Sequence, residues 1–188
     1  LNALMDCFVL YEARRFDIHG KAELARLEKY YLVDLGLRRT VLGNKAMDVG
    51  HTLENVVYLE LLRRGFEVYV GRVDQTEVDF VAKSADGYQY IQVSATVRDP
   101  DTLARELRPL QNIKDHYPKL LLTLDDDPDM DHDGIRQCNA LEWLLTRKRE
   151  ALLAAGDGTW PAWLPLRDIR DNGCRYRHPS IHRLGQPP

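Results

Sequence analysis

The sequence predicts an α/β domain: a mixed central sheet flanked by helices, with a core ordered αβββαβ. Three observations predict it. An apolar helix at 51–64 runs straight into short segments that alternate as strands. LLLTL at 120–124 is a continuous apolar run, as a strand buried in parallel surroundings requires. The helical pattern between 101 and 116 makes a right-handed βαβ crossover between strands 90–95 and 120–124.

The elements come in order. LNALMDCFVLYEARRFD (1–17) reads as a helix end running into an apolar strand, and KYYLVDLGL (29–37) as a second strand-like segment. The block 1–50 is too short of elements for its own core. It is expected to be the end of an upstream linker or winged-helix-like region, packed on the domain that begins at 51. HTLENVVYLELLRR (51–64) is apolar nearly all round and closes at Gly65 in the C′ position. Strand 66–70 points Phe66, Val68 and Val70 to one face. In strand 77–82, Val78 and Phe80 face one way and Glu77, Asp79 and Val81 the other. In strand 90–95, Ile91 and Val93 turn inward against Gln92 and Ser94. Asp99 caps a helix with Pro100 at its first position, running towards Tyr117 and kinked or broken near Pro109. Asn139, with Glu142 three residues on, opens a last helix that completes a 51–150 unit. From 151 to 188 turn formers dominate, and an irregular tail is expected.

Composition narrows the function classes. The 188 residues are 44% apolar and 29% charged, with a net charge of −3, so bulk charge does not predict nucleic-acid binding. Cys7, Cys138 and Cys174 are sparse and odd in number, as expected for reduced thiols in a cytoplasm. No apolar run reaches the ~20 residues of a membrane span. Leu1 opens the sequence without a charged n-region or cleavage site, and the chain reads as the carboxy-terminal piece of something longer.

EVDF (77–80) and IQVS (91–94) are the first candidate site. Neighbouring strands with polar groups on one face hold hard cations well, because Mg²⁺ prefers octahedral oxygen ligands. Asp79 and Glu77 supply two carboxylates, and Glu54 on the helix completes the set. A solvated strand face and a helix-start acid are the alternative.

LENVVYLELLRRGFEVYVG, EVDFVA, YIQVSA, the REL of 105–107 and YPKLLLTLD occur in one order, with KYYLVDLGLRR upstream. Over about 1–145 the chain resembles the carboxy-terminal domain of unknown function found behind AAA+-type P-loop ATPases of bacteria and archaea. That resemblance implies a restriction-endonuclease-like fold of the PD-(D/E)XK nuclease superfamily. It also implies an N-terminal ATPase domain through which alone ATP would bind. Glu54 then matches the helix glutamate and Asp79 the metal-binding aspartate. Gln92 stands where active relatives carry a second acid, and Ser94 where they carry a lysine. Gln offers only a neutral carbonyl to Mg²⁺ or Mn²⁺, and Ser offers no cation for developing negative charge.

The expectation is therefore a catalytically degenerate domain that couples an ATPase to DNA or to a protein partner. Its rivals are an active Mg²⁺- or Mn²⁺-dependent endonuclease with migrated residues, and an interaction or oligomerisation module. Arg98, Arg105 and Lys83 are candidates for a migrated cation, Glu106 for the acid, and Arg98 and Arg105 for phosphate contacts. A Lys or Arg amine and a second carboxylate converging on Asp79 would revive catalysis.

Four further patterns carry less. DMDHDG (129–134) starts like a calcium loop but has Ala140 at position 12, and reads as an acidic turn. Cys174, His178 and His182 have helical zinc spacing, interrupted by Pro179. HGK (19–21) lacks the upstream glycine and the Ser/Thr of a Walker A loop. The pairs Arg14–Arg15, Arg38–Arg39 and Arg63–Arg64 are phosphate contacts or, the favoured reading, solvated faces.

Overall fold

The computed structural model describes residues 1–42 and 49–146. One mixed sheet runs through it. Helix α1 (Asn2–Asp6) precedes strands β1 (Leu10–Asp17) and β2 (Ala22–Leu32), and α2 (Leu35–Leu42) comes after them. Then come α3 (Val49–Arg63), β3 (Glu67–Val73), β4 (Thr76–Ser84), β5 (Gly87–Val93), α4 (Pro100–Gln111) and β6 (Lys119–Thr123). A hairpin of β7 (Met130–His132) and β8 (Ile135–Asn139) leads to helical residues 140–146. The eight strands stand in the order β2-β1-β3-β4-β5-β6-β8-β7. The sheet is mixed: β1–β3, β5–β6 and β6–β8 pair parallel and the others antiparallel. The α/β class and the order α3-β3-β4-β5-α4-β6 are those expected from the sequence.

Each face of the sheet has its own core. Leu53, Val57, Tyr58 and Leu61 of α3 pack with Val68, Val70, Phe80 and Ile91. Leu107 and Leu110 of α4 pack with Val78, Val81, Tyr90 and Leu121. Leu120 and Leu122 belong to the first cluster and Leu121 to the second, so β6 is covered on both sides, as its apolar run requires.

Local chemistry sets the ends. Gly65 ends α3 with φ +87°, a conformation glycine adopts without a Cβ penalty. The Asp99 carboxylate accepts from Thr102 N at 2.8 Å, with Pro100 behind it, and opens α4. Asn139 Oδ1 accepts from Leu141 N at 2.9 Å and Glu142 N at 3.1 Å, opening the helical turn at 140.

Several expectations change. Residues 10–32, expected as the end of an upstream region packed on the core, are two strands of this same sheet. Segment 29–37 is strand only to Leu32. Asp34 Oδ1 then accepts from Gly36 N at 2.7 Å and Leu37 N at 3.2 Å, and a helix begins. Helix α4 continues through Pro109, which is buried, and stops at Gln111 rather than near Tyr117. Val78 and Phe80 do not share a face. Between the partner pairs Tyr69↔Val81 and Gly71↔Val78 an extra residue in β4 shifts the register, so Val78 joins the α4-side core and Phe80 the α3-side core. The acidic segment 129–134 does form the turn expected of it, as a hairpin: Asp133 (φ +54°) and Gly134 (φ +86°) join β7 to β8. Positions 151–188, with Cys174, His178 and His182, lie outside the described residues.

Candidate functional site

Asp79 lies in the stretch of β4 where the register with β3 shifts. Asp79 Oδ2 accepts from Val93 N at 2.8 Å, and Asp79 N donates to Gln92 Oε1 at 3.3 Å. These bonds run crosswise between β4 and β5. The other end of the Gln92 amide donates to Glu106 Oε2 of α4 at 2.9 Å. Gln92 is thus a buried bridge between Asp79 and Glu106, both of its polar ends occupied. Ser94 lies one residue past β5, and its hydroxyl donates to Thr96 O at 3.1 Å in a local turn.

Glu54, buried on α3, meets two donors from β2 at one oxygen. Tyr31 Oη donates to Glu54 Oε1 at 2.7 Å, and Lys29 Nζ lies 2.6 Å from the same atom. Lys29 also lies 3.3 Å from Glu77 Oε1, while Arg15 Nη1 of β1 sits 2.6 Å from Glu77 Oε2. Glu54 and Glu77 therefore converge, as their residue types suggested, but around a lysine.

The electrostatics result from this crowding. Burial and the neighbouring Glu54 charge push the Asp79 carboxyl up to about 7, against the Val93 N–H and Lys29, which favour the anion. Burial works against the Lys29 ammonium, yet Glu54, then Glu77 and Asp79, hold its pKa above the ordinary lysine value. Burial and Glu54 keep the Tyr31 hydroxyl far above the usual tyrosine range, so it stays a donor. Near neutral pH the cluster holds a fixed cation and a carboxyl poised to gain or lose a proton.

The other candidates lie elsewhere. Lys83 pairs with Glu67 at 2.8 Å. Arg98, 68% exposed, faces Asp125 at 3.4 Å and Asp127 at 3.8 Å. Arg105, 70% exposed, reaches Glu106 at 3.0 Å, and through it stands beside the Gln92 bridge. Of the basic pairs, Arg14 faces Glu12 and Glu23, and Arg63 and Arg64 share Glu60. Asp129 is tied to Arg136 at 2.6 Å, and Asp131 accepts from Gly134 N at 2.9 Å, so two carboxylates of the acidic turn bond within its own hairpin.

Four of the six carboxylate oxygens of Glu54, Glu77 and Asp79 are engaged by protein donors. Glu54 Oε1 is taken by Tyr31 and Lys29, both Glu77 oxygens by Lys29 and Arg15, and Asp79 Oδ2 by a backbone N–H. Among the described residues no three His, Cys, Asp or Glu side chains gather closely enough to hold a metal ion.

Sequence reasoning missed Lys29 and Tyr31, and noted Arg15 only as half of a basic pair rather than as the partner of Glu77. All three lie in the first 32 residues, and only the partner strands bring them to Glu54 and Glu77. One signal was present: Lys29 is a charge leading the apolar run YYLV (30–33).

The chain is 41% identical over 145 residues, 77% of its length, to an uncharacterized protein of Haemophilus influenzae. Those residues span 36% of that relative, so most of the relative lies outside the match. No described protein family matches the chain. No solved structure matches it either. Among the described residues, no helix is long and apolar enough to cross a membrane.

Proposed function

We propose that this chain is a nuclease-like domain of the PD-(D/E)XK type whose cutting centre has become a closed ion-pair network. In this reading it works as the carboxy-terminal part of a cytoplasmic AAA+-type ATPase and binds DNA or a protein partner. The observation that carries the reading is the state of the two catalytic positions. Gln92 is buried with both amide ends bonded, and Ser94 is held in a turn, so neither offers a charge to a scissile phosphate. Lys29 and Arg15 neutralise the carboxylates that a metal would need. The length of the Haemophilus relative outside the match leaves room for a further domain, where ATP would bind.

The test is plasmid cleavage with Mn²⁺ and Mg²⁺, run beside the Asp79→Ala variant. No nicking that depends on Asp79 is expected. Nicking that disappears in the variant would overturn the reading. Binding of duplex DNA with a steep salt slope separates a DNA-binding role from a protein-binding one.

One observation favours a second reading, an active Mg²⁺- or Mn²⁺-dependent endonuclease. Lys29 stands among Glu54 and Glu77, acts on Asp79 through its charge, and is the amine that the sequence lacks at Ser94. In that reading Lys29→Met abolishes metal-dependent cleavage, whereas Arg98→Ala does not.

A further inference from the structure

Away from the carboxylate cluster, the β1–β2 turn carries a second ionic centre, assembled from residues far apart in sequence. The Lys21 ammonium is hydrogen-bonded to the Tyr90 hydroxyl and lies 2.5 Å from Asp115 Oδ2. The same nitrogen stands 4.8 Å from the ring centre of Tyr88, 5.2 Å from that of Tyr90 and 5.5 Å from that of Tyr117. The rings of Tyr88 and Tyr117, the Tyr90 hydroxyl and one carboxylate thus surround a single cation.

The enclosure is built rather than incidental. Tyr88 and Tyr117 meet edge-on at 5.3 Å and 75°, and Tyr90 and Tyr117 at 6.5 Å and 73°. Tyr90 Oη donates to Asp115 Oδ2 at 2.7 Å and fixes the carboxylate. Gly87 lets the wall close: a Cβ there would fall 2.4 Å from Tyr117 Cε1. Lys21 itself has φ +50°, a left-handed backbone that is unfavourable for a non-glycine residue and persists where surroundings hold it.

Ring faces attract cations through their quadrupole, most strongly where water is displaced. The carboxylate and hydroxyl add directional acceptors, which suit an ammonium that still carries N–H groups. A quaternary ammonium would satisfy the rings but leave Asp115 and Tyr90 without a donor.

We propose that Tyr88, Tyr90, Tyr117 and Asp115 form a binding site for primary alkylammonium groups, with Lys21 as its resident intramolecular ligand. The hairpin turn is then pinned by a removable plug. An external lysine-like amine takes the same place when Lys21 is withdrawn.

The experiment uses the whole chain with Lys21→Ala, titrated with n-butylammonium chloride, and with tetramethylammonium chloride and NaCl at matched ionic strength. Thermal melting and tyrosine fluorescence are read. Saturable recovery of the melting temperature with n-butylammonium in the millimolar range is expected, at least tenfold weaker with tetramethylammonium and absent in Lys21→Ala/Asp115→Asn. A response no greater than that to NaCl overturns the proposal, and an equal response to both amines overturns its selectivity for primary amines. If Lys21→Ala does not fold, NMR of the unaltered chain decides. The Lys21 ε-methylene protons are expected well upfield of the other lysines, and an ordinary lysine shift overturns the site.

Discussion

Lys29 Nζ lies 2.6 Å from Glu54 Oε1, so the edge strand of the sheet is charge-paired to the helix on its face. Glu54 is buried, and removing its partner would leave a carboxylate without its counter-charge. Lys29→Met is expected to cost about 2–4 kcal/mol in urea unfolding, below the full value for a buried pair because Lys29 is partly exposed. Lys29→Met/Glu54→Gln is expected to recover at least half of that loss. If the single variant unfolds like the original chain, the pair is not structural.

The Asp79 carboxyl predicts a pH dependence with a definite sign. Its folded pKa, about 7, lies above the ordinary 3.8, so between those values the folded state holds more protons than the unfolded one. Its contribution is therefore most favourable below pH 4 and is lost as pH rises towards 7. Asp79→Asn keeps an acceptor for Val93 N and removes the charge. It is expected to raise stability at pH 8 by about 1–2 kcal/mol, after allowance for solvent screening, and to change little at pH 4. A variant that is less stable at pH 8 would contradict the shift.

Gln92 and Glu106 predict a swap. Gln92→Glu sets two carboxylates 2.9 Å apart and removes the donor between them. The single variant is expected to lose about 2 kcal/mol near neutral pH. Gln92→Glu/Glu106→Gln, which reverses the bond with the same atoms, is expected to restore most of it. Both are read from denaturant midpoints at constant slope.

Gly71 sits where β1, β3 and the shifted β4 crowd together. A Cβ there would fall 2.8 Å from Val81 Cγ2, 2.9 Å from Ile18 Cδ1 and 3.0 Å from Val78 Cβ. Gly71→Ala is expected to cost about 1–3 kcal/mol through overpacking. Gly71→Ala/Val81→Ala, which frees the nearest contact, is expected to cost less than the sum of its parts.

Local signals carried most of the fold into the sequence. Gly65, the Asp99–Pro100 cap, the Asn139 cap and the apolar run of β6 are decisions of one to five residues, and each is legible as a pattern. What was not legible depends on partners. The extra residue in β4 is defined only against β3, and strict alternation places Val78 on the wrong side. Residues 25–28 of β2 stand opposite Arg14 alone, so the face presented by Lys29 cannot be counted from the turn. The Asp133–Gly134 turn was legible too, since DMDHDG reads as an acidic turn once Ala140 stands at position 12. For the site, Glu54, Glu77 and Asp79 were legible as residue types, while their counter-charges lay across the sheet.

Because strands β1 and β2 supply both counter-charges, dissecting the protein by sequence motif would change what is measured. A fragment starting after residue 42 would keep Glu54, Glu77 and Asp79 and lose Arg15 and Lys29. Its β3 would become an unprotected apolar rim, inviting edge-to-edge aggregation that light scattering would register as rising with concentration. Divalent-ion affinity found in such a fragment would belong to the cut, and only the longer chain reports on the native charge balance.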